Sequence, residues 1–145
     1  MKKVLKNKKG FTLVELLAVI VVLAIIMVIA TQQIGNVIKK NTVNSFKSSL
    51  DMVTKQAKQA EVMATGTVSV GDIKALVDYD SSQFEIYLGS DTAVSAAGAD
   101  GDYVCIMAGD TSSKFNGMDA TIFAEVFTTK YKTSASNGIA CAKFK

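Results

Sequence analysis

Residues Lys8 to Glu15 read KKGFTLVE and pass without a break into an apolar stretch that ends at Ala30. A basic start, a glycine and a helix of membrane-crossing length therefore meet at one junction. About 20 predominantly apolar residues are needed to span a hydrocarbon core, and this segment is of that order. Glu15 lies inside it, five residues after Gly10. A carboxylate in such a place costs on the order of 2.5 to 3.5 kcal/mol on insertion scales, which marks Glu15 as a functional residue rather than a passenger. The chain between Phe11 and Gln33 contains no basic side chain to pair with it. A cut after Gly10 would create one positive group in the same layer, the new α-amino group of Phe11.

An ordinary secretory signal does not fit this pattern. Its apolar region is about 7 to 15 residues long and precedes the cleavage site, whereas here the glycine comes first and the apolar run is longer. A plain uncut anchor explains the length but not the spacing of Gly10, Phe11 and Glu15. Five lysines within the first nine residues hold the N-terminus on the cytoplasmic side by the positive-inside rule, so the remainder faces outward.

On these residues the chain resembles the type IV pilin family, whose precursors carry a short basic leader, a Gly–Phe cleavage site and a glutamate five residues into the mature chain. The resemblance covers Lys8 to about Ala30. It implies that a membrane-embedded prepilin peptidase cuts between Gly10 and Phe11 and that the same enzyme methylates the Phe11 amine. It implies that Glu15 is the assembly carboxylate, meeting the Phe11 amine of a neighbouring subunit. It further implies a homo-oligomeric helical filament built from a membrane-stored precursor by an assembly platform protein and a cytoplasmic ATPase. Many pilins have a helix-bending proline near the end of the anchor; this chain has no proline at all, so that bend does not carry over. Gly35, which weakens a helix by roughly 1 kcal/mol relative to alanine, is the weak spot expected there instead.

Charge narrows the function classes. The 145 residues include 16 lysines, no arginine and no histidine, with a formal net charge of +3. Removing residues 1–10 deletes five lysines and leaves 11 against 13 carboxylates, so the charge becomes −2. The basic character belongs to the leader, and bulk electrostatics argue against a nucleic-acid partner. Without histidine no Ser–His–Asp set can be built. Asp78 with Asp80, and Asp100 with Asp102, are close carboxylate pairs beside glycine or serine, as turn residues commonly are, and they lack the EF-hand pattern. The chain is expected to be no enzyme and to need no cofactor or metal. No glycine-rich phosphate loop is present, so the energy for assembly comes from another protein.

Past the anchor the helical period persists. Ile34, Ile38, Phe46, Leu50, Val53, Ala57, Ala60 and Ala64 recur mostly three or four apart, with Lys39, Lys40, Lys47, Lys55 and Lys58 largely off that stripe. One helix is predicted, apolar all round in its first half and amphipathic in its second, ending near Gly66. Ser69 and Asp72 fit a capping box for a short helix through Val77. Phe84–Leu88, Tyr103–Met107, Thr121–Lys130 and Ile139–Phe144 are rich in β-branched, aromatic or alternating residues and read as four antiparallel strands. The third could instead be helical over Asp119–Phe127, since Asp119 is a good N-cap. Asn137 and Gly138 suit a turn with positive φ.

Cys105 and Cys141 fall in the second and last of those strands. In a small domain exported to an oxidising space an even pair reads as a disulfide. It would close a loop of about 37 residues, for which chain-entropy arithmetic gives about 3.8 kcal/mol of stabilisation. A metal-binding or reactive pair lacks histidine and short cysteine spacing, and in a reducing compartment both would be buried apolar residues.

The expected fold class is α+β and pilin-like, a long N-terminal helix packed on a small antiparallel sheet. Its expected divisions are a leader at residues 1–10, a membrane and filament-core helix at 11–35, an amphipathic helix at 36–66 and a β-rich head at 67–145. The expected function is a type IV pilus subunit for adhesion, surface motility or aggregation. A minor tip pilin for adhesion or DNA uptake and a pseudopilin of a secretion machine share the same N-terminal features. A membrane-anchored extracellular enzyme is the alternative from another class. The expected location is the cell membrane before assembly and the extracellular surface afterwards.

Overall fold

The computed structural model describes residues 12–145, apart from the side chain of Gln32. Two compact units divide at Val37 and Ile38. Helix α1 (Leu13–Met63) contributes to both, and α2 (Val70–Leu76) and α3 (Ala120–Val126) belong to the second. Four strands, β1 (Phe84–Leu88), β2 (Tyr103–Ala108), β3 (Lys132–Ser134) and β4 (Ile139–Lys143), form one antiparallel sheet in the order β1-β2-β4-β3. The architecture is α+β and pilin-like, with the long helix packed on the small sheet.

Within the second unit α1 lends its apolar stripe to the core. Val43, Phe46, Leu50, Val53, Ala57 and Ala60 are three or four residues apart and all are buried. They pack against Phe84 and Ile86 of β1, Val104 and Ile106 of β2, and Ala140 and Ala142 of β4. Phe46 is the centre of an aromatic cluster, its ring 5.1 Å from Phe115, 6.1 Å from Phe123 and 6.3 Å from Phe127. Ile34 and Ile38, on the same sequence stripe, are exposed.

Because successive side chains in a strand point to opposite faces, β2 sends Val104 and Ile106 toward α1 and Cys105 the other way. The second face is not left to water. A 3₁₀ turn at Thr92–Ala97 covers it with Val94 and Ala97, and Cys105, Cys141 and Ile139 complete a smaller cluster there. Cys105 and Cys141 are direct register partners on β2 and β4 and are joined by a disulfide. At the turn before β4, Gly138 has φ of 60° and its Cα lies against Ala108, where an added Cβ would come within 2.9 Å of the Ala108 Cβ.

Local hydrogen bonds end the short helices where the sequence leads one to look. Ser69 and Asp72 form a reciprocal capping box at the start of α2. The segment 121–130 is not a strand, however. Asp119 accepts from the N–H groups of Thr121 and Ile122, and α3 follows. Phe123 and Phe127, four apart, then lie against Phe46 while Ile122 and Val126 are half-buried. The β-branched Thr121, Ile122 and Val126 suggested a strand, but the N-cap and the aromatic packing decide the conformation. The fourth strand of the sheet is instead the three-residue β3, paired through Lys132, Thr133 and Ser134 with β4.

The Ile122 N–H, with help from Lys39, holds the Asp119 carboxyl below its ordinary 3.8, and the Ser69 hydroxyl does the same for Asp72. Such lowered groups favour the fold above pH about 3.8 and lose that contribution as the pH falls through their lowered values. Phe46 is fully buried at the centre of the aromatic cluster, so its packing outweighs these exposed carboxylates. Phe46→Ala is expected to destabilise the second unit by about 3 to 5 kcal/mol, measured by urea unfolding of the detergent-solubilised chain; a loss below about 1 kcal/mol would contradict this packing.

Candidate functional site

In the first unit, residues 13–30 of α1 carry Glu15 as their one charged side chain. Consecutive helical residues are about 100° apart, so a helix buried on one side alternates exposed and covered positions. Here there is no alternation. Leu16, Leu17, Val19, Ile20, Val21, Val22 and Leu23 are each at least 50% exposed. At 1.5 Å per residue the segment is about 27 Å long, close to the thickness of a hydrocarbon core. It is long and apolar enough to cross a membrane, and no residue of its most apolar window is buried.

Glu15 sits in the first turn of this helix. The Thr12 N–H donates to Glu15 Oε2 at 3.1 Å, and the Thr12 hydroxyl donates to the same oxygen at 3.1 Å. In return the Glu15 N–H donates to Thr12 Oγ1 at 3.3 Å, and the Leu16 N–H donates to the Thr12 carbonyl at 3.2 Å. This is a capping box, in which hydroxyl and carboxylate satisfy each other's backbone N–H groups. A carboxylate in the first helical turn also meets the positive end of the helix dipole. The sequence offers Glu15 no basic side chain nearby; the structure adds a neutral donor. Thr12-x-x-Glu15 carries the same spacing as Ser69-x-x-Asp72, a signal that is present in the sequence itself.

Gly10 and Phe11 lie outside the described residues. Gly35 is inside them, and α1 passes through it as regular helix with open space where a Cβ would stand. Of the remaining carboxylate pairs, Asp80 accepts from the N–H and hydroxyl of Ser82, and Asp100 accepts from the Asp102 N–H. Both are turn-forming contacts. Among the described residues no group of three or more His, Cys, Asp or Glu side chains is placed to hold a metal.

Residues 5–31 match the family model of the prokaryotic N-terminal methylation motif, the class III signal peptide of type IV pilins. The matched segment contains Gly10, Phe11, Thr12, Glu15 and the whole apolar run. No curated protein and no solved structure matches the chain. The motif and the exposed apolar helix together fit a membrane-anchored precursor of a pilin-like structural protein.

Thr12→Val keeps the side-chain shape and removes the hydroxyl. Losing a cap of this kind costs about 1 kcal/mol, so amide exchange at Glu15 in detergent micelles should accelerate about fivefold. An unchanged rate at Glu15 would contradict the capping role of Thr12.

Proposed function

We propose that the chain is the structural subunit of a type IV pilus, stored in the cell membrane as a precursor and assembled into a helical surface filament that serves adhesion, surface motility or aggregation. The observation that carries this reading is the coincidence of the methylation motif with an apolar helix that its own chain leaves uncovered. Prepilin peptidase cleaves between Gly10 and Phe11 and methylates the new Phe11 amine. Residues 11–35 are then the membrane and filament-core helix, 36–66 its amphipathic continuation and 67–145 the head.

Assembly exchanges one apolar environment for another. In the bilayer the helix is surrounded by lipid; in the filament the same surface packs against the anchors of neighbouring subunits. Extraction needs energy from a cytoplasmic ATPase acting through the platform protein. Glu15 sets the register. Thr12 hydrogen-bonds the carboxylate within the subunit but does not neutralise it, and a buried charge without a counter-charge is destabilising by several kcal/mol. The Phe11 amine of the incoming subunit is the group that relieves this. Subunits joined head to tail by unlike surfaces form an open helical array rather than a closed pair.

Glu15→Ala and Glu15→Gln distinguish charge from hydrogen bonding, since glutamine retains an acceptor for Thr12. Both variants should insert in the membrane normally and lower the yield of sheared filaments by about tenfold or more, in keeping with the loss of a desolvated charge pair. Normal filament yield from either variant would sink the pairing.

A further inference from the structure

The second unit holds eleven lysines, of which four form ion pairs and seven have no carboxylate within 4.0 Å among the described residues. Lys39, Lys40, Lys74 and Lys143 each form an ion pair, with Asp119, Glu125, Glu85 and Asp102 respectively. Lys47, Lys55, Lys58 and Lys130 have no carboxylate within 4.0 Å among the described residues, and all four line one groove of about 360 Å³. Lys47, Asp51, Lys55 and Lys58 are close to four apart on α1, which brings them to one side of the helix. The segment before β3 supplies Lys130 and Tyr131. The ammonium groups of Lys47 and Lys130 stand 5.5 and 5.7 Å from the centre of the Tyr131 ring. The carboxylate in the groove, Asp51, already accepts from the Tyr131 hydroxyl at 3.2 Å. Four like charges gathered around one engaged carboxylate repel one another and call for an anionic partner from outside the subunit.

The same fold holds such a group elsewhere. Asp78 and Asp80 are exposed on the segment that leads into β1, with Tyr79 between them anchored against Phe84 at 5.2 Å. Asp80 is held in a turn by Ser82, and Lys114 is the nearby cation. β1 and β3 are the two edges of the sheet and run in opposite directions. Their starting ends, one carrying Asp78 and Asp80 and the other Lys130 and Tyr131, are therefore diagonally opposite corners. The two corners cannot meet within a subunit, but they can meet between subunits.

We propose that the groove formed by Lys47, Lys55, Lys58 and Lys130 around Tyr131 receives the Asp78–Asp80 turn of a second copy of this chain. The contact rests on the filament reading above and deepens it. Unlike patches at opposite corners make a heterologous contact, which propagates from copy to copy. It adds a charge-based register between heads to the one between anchors, and because its groups are exposed it weakens as salt rises. A long soluble polyanion is a poorer occupant, since carboxylates outnumber lysines in the chain after Gly10.

The test is a charge exchange in the full-length chain, read as sheared filaments per cell. One variant is Lys55→Glu with Lys58→Glu. The other is Asp78→Lys with Asp80→Asn, which keeps the acceptor for Ser82. Each should lower filament yield by about tenfold, and the four changes together should restore it to within about twofold of the unaltered chain. Rescue excludes simple misfolding, because a misfolded variant is not repaired by a change at the opposite corner. Unaffected yields, or no rescue while the unaltered chain forms filaments, overturn the contact alone. An unaltered chain that forms no filaments overturns the filament reading and the contact with it. Retention on a heparin matrix that is lost on Lys55→Glu with Lys58→Glu, with filament yield unchanged, gives the groove to a soluble polyanion and also overturns the contact.

Discussion

The constraint on which the rest depends is the uncovered apolar surface of residues 13–30. Burying a leucine or isoleucine side chain is worth about 1.5 to 3 kcal/mol, and this helix presents more than a dozen large apolar side chains that its own chain does not bury. Such a surface is stable in lipid or against copies of itself. A helix that is apolar all round fits the membrane-anchored precursor to which the methylation motif points. Glu15 breaks the uniformity of the surface, and its capping box with Thr12 satisfies the carboxylate within the helix's first turn.

The second half of α1 follows a different rule. From Val43 onward one stripe is buried and the rest is wet, because the sheet and the phenylalanines of the 115–127 region cover a single side. The sheet is small, yet both its faces are closed: α1 covers one, and the Thr92–Ala97 turn with the Cys105–Cys141 bridge covers the other. That arrangement suits a domain too small to rely on one hydrophobic layer. Cross-linking two neighbouring strands also ties the C-terminal strand into the sheet at its centre.

Much of this was legible in the residues, for identifiable reasons. The α1 stripe at Phe46, Leu50, Val53, Ala57 and Ala60 is a strong 3.6-residue period, and the strands at Phe84–Leu88 and Tyr103–Met107 are short apolar runs bounded by turn formers. The α2 cap has a definite spacing. What the sequence concealed depended on tertiary partners. Ile34 and Ile38 continue the stripe but nothing covers them. Thr121–Lys130 has strand-like side chains, yet Phe123 and Phe127 need helical spacing to reach Phe46 together. β3 is three polar or charged residues on a sheet edge and carries no apolar pattern of its own. The lysine groove joins residues more than 70 positions apart in the chain, Lys58 and Lys130, through packing that no local period encodes.

The central claim is that this chain is cut after Gly10 and becomes a filament subunit. It is tested most directly by the intact, non-reduced mass and N-terminal fragment spectrum of filaments sheared from the native cell. The account predicts a chain that begins at methylated Phe11 and is lighter by two hydrogens for the Cys105–Cys141 bridge. A chain that still begins at Met1 and is confined to the membrane would contradict it.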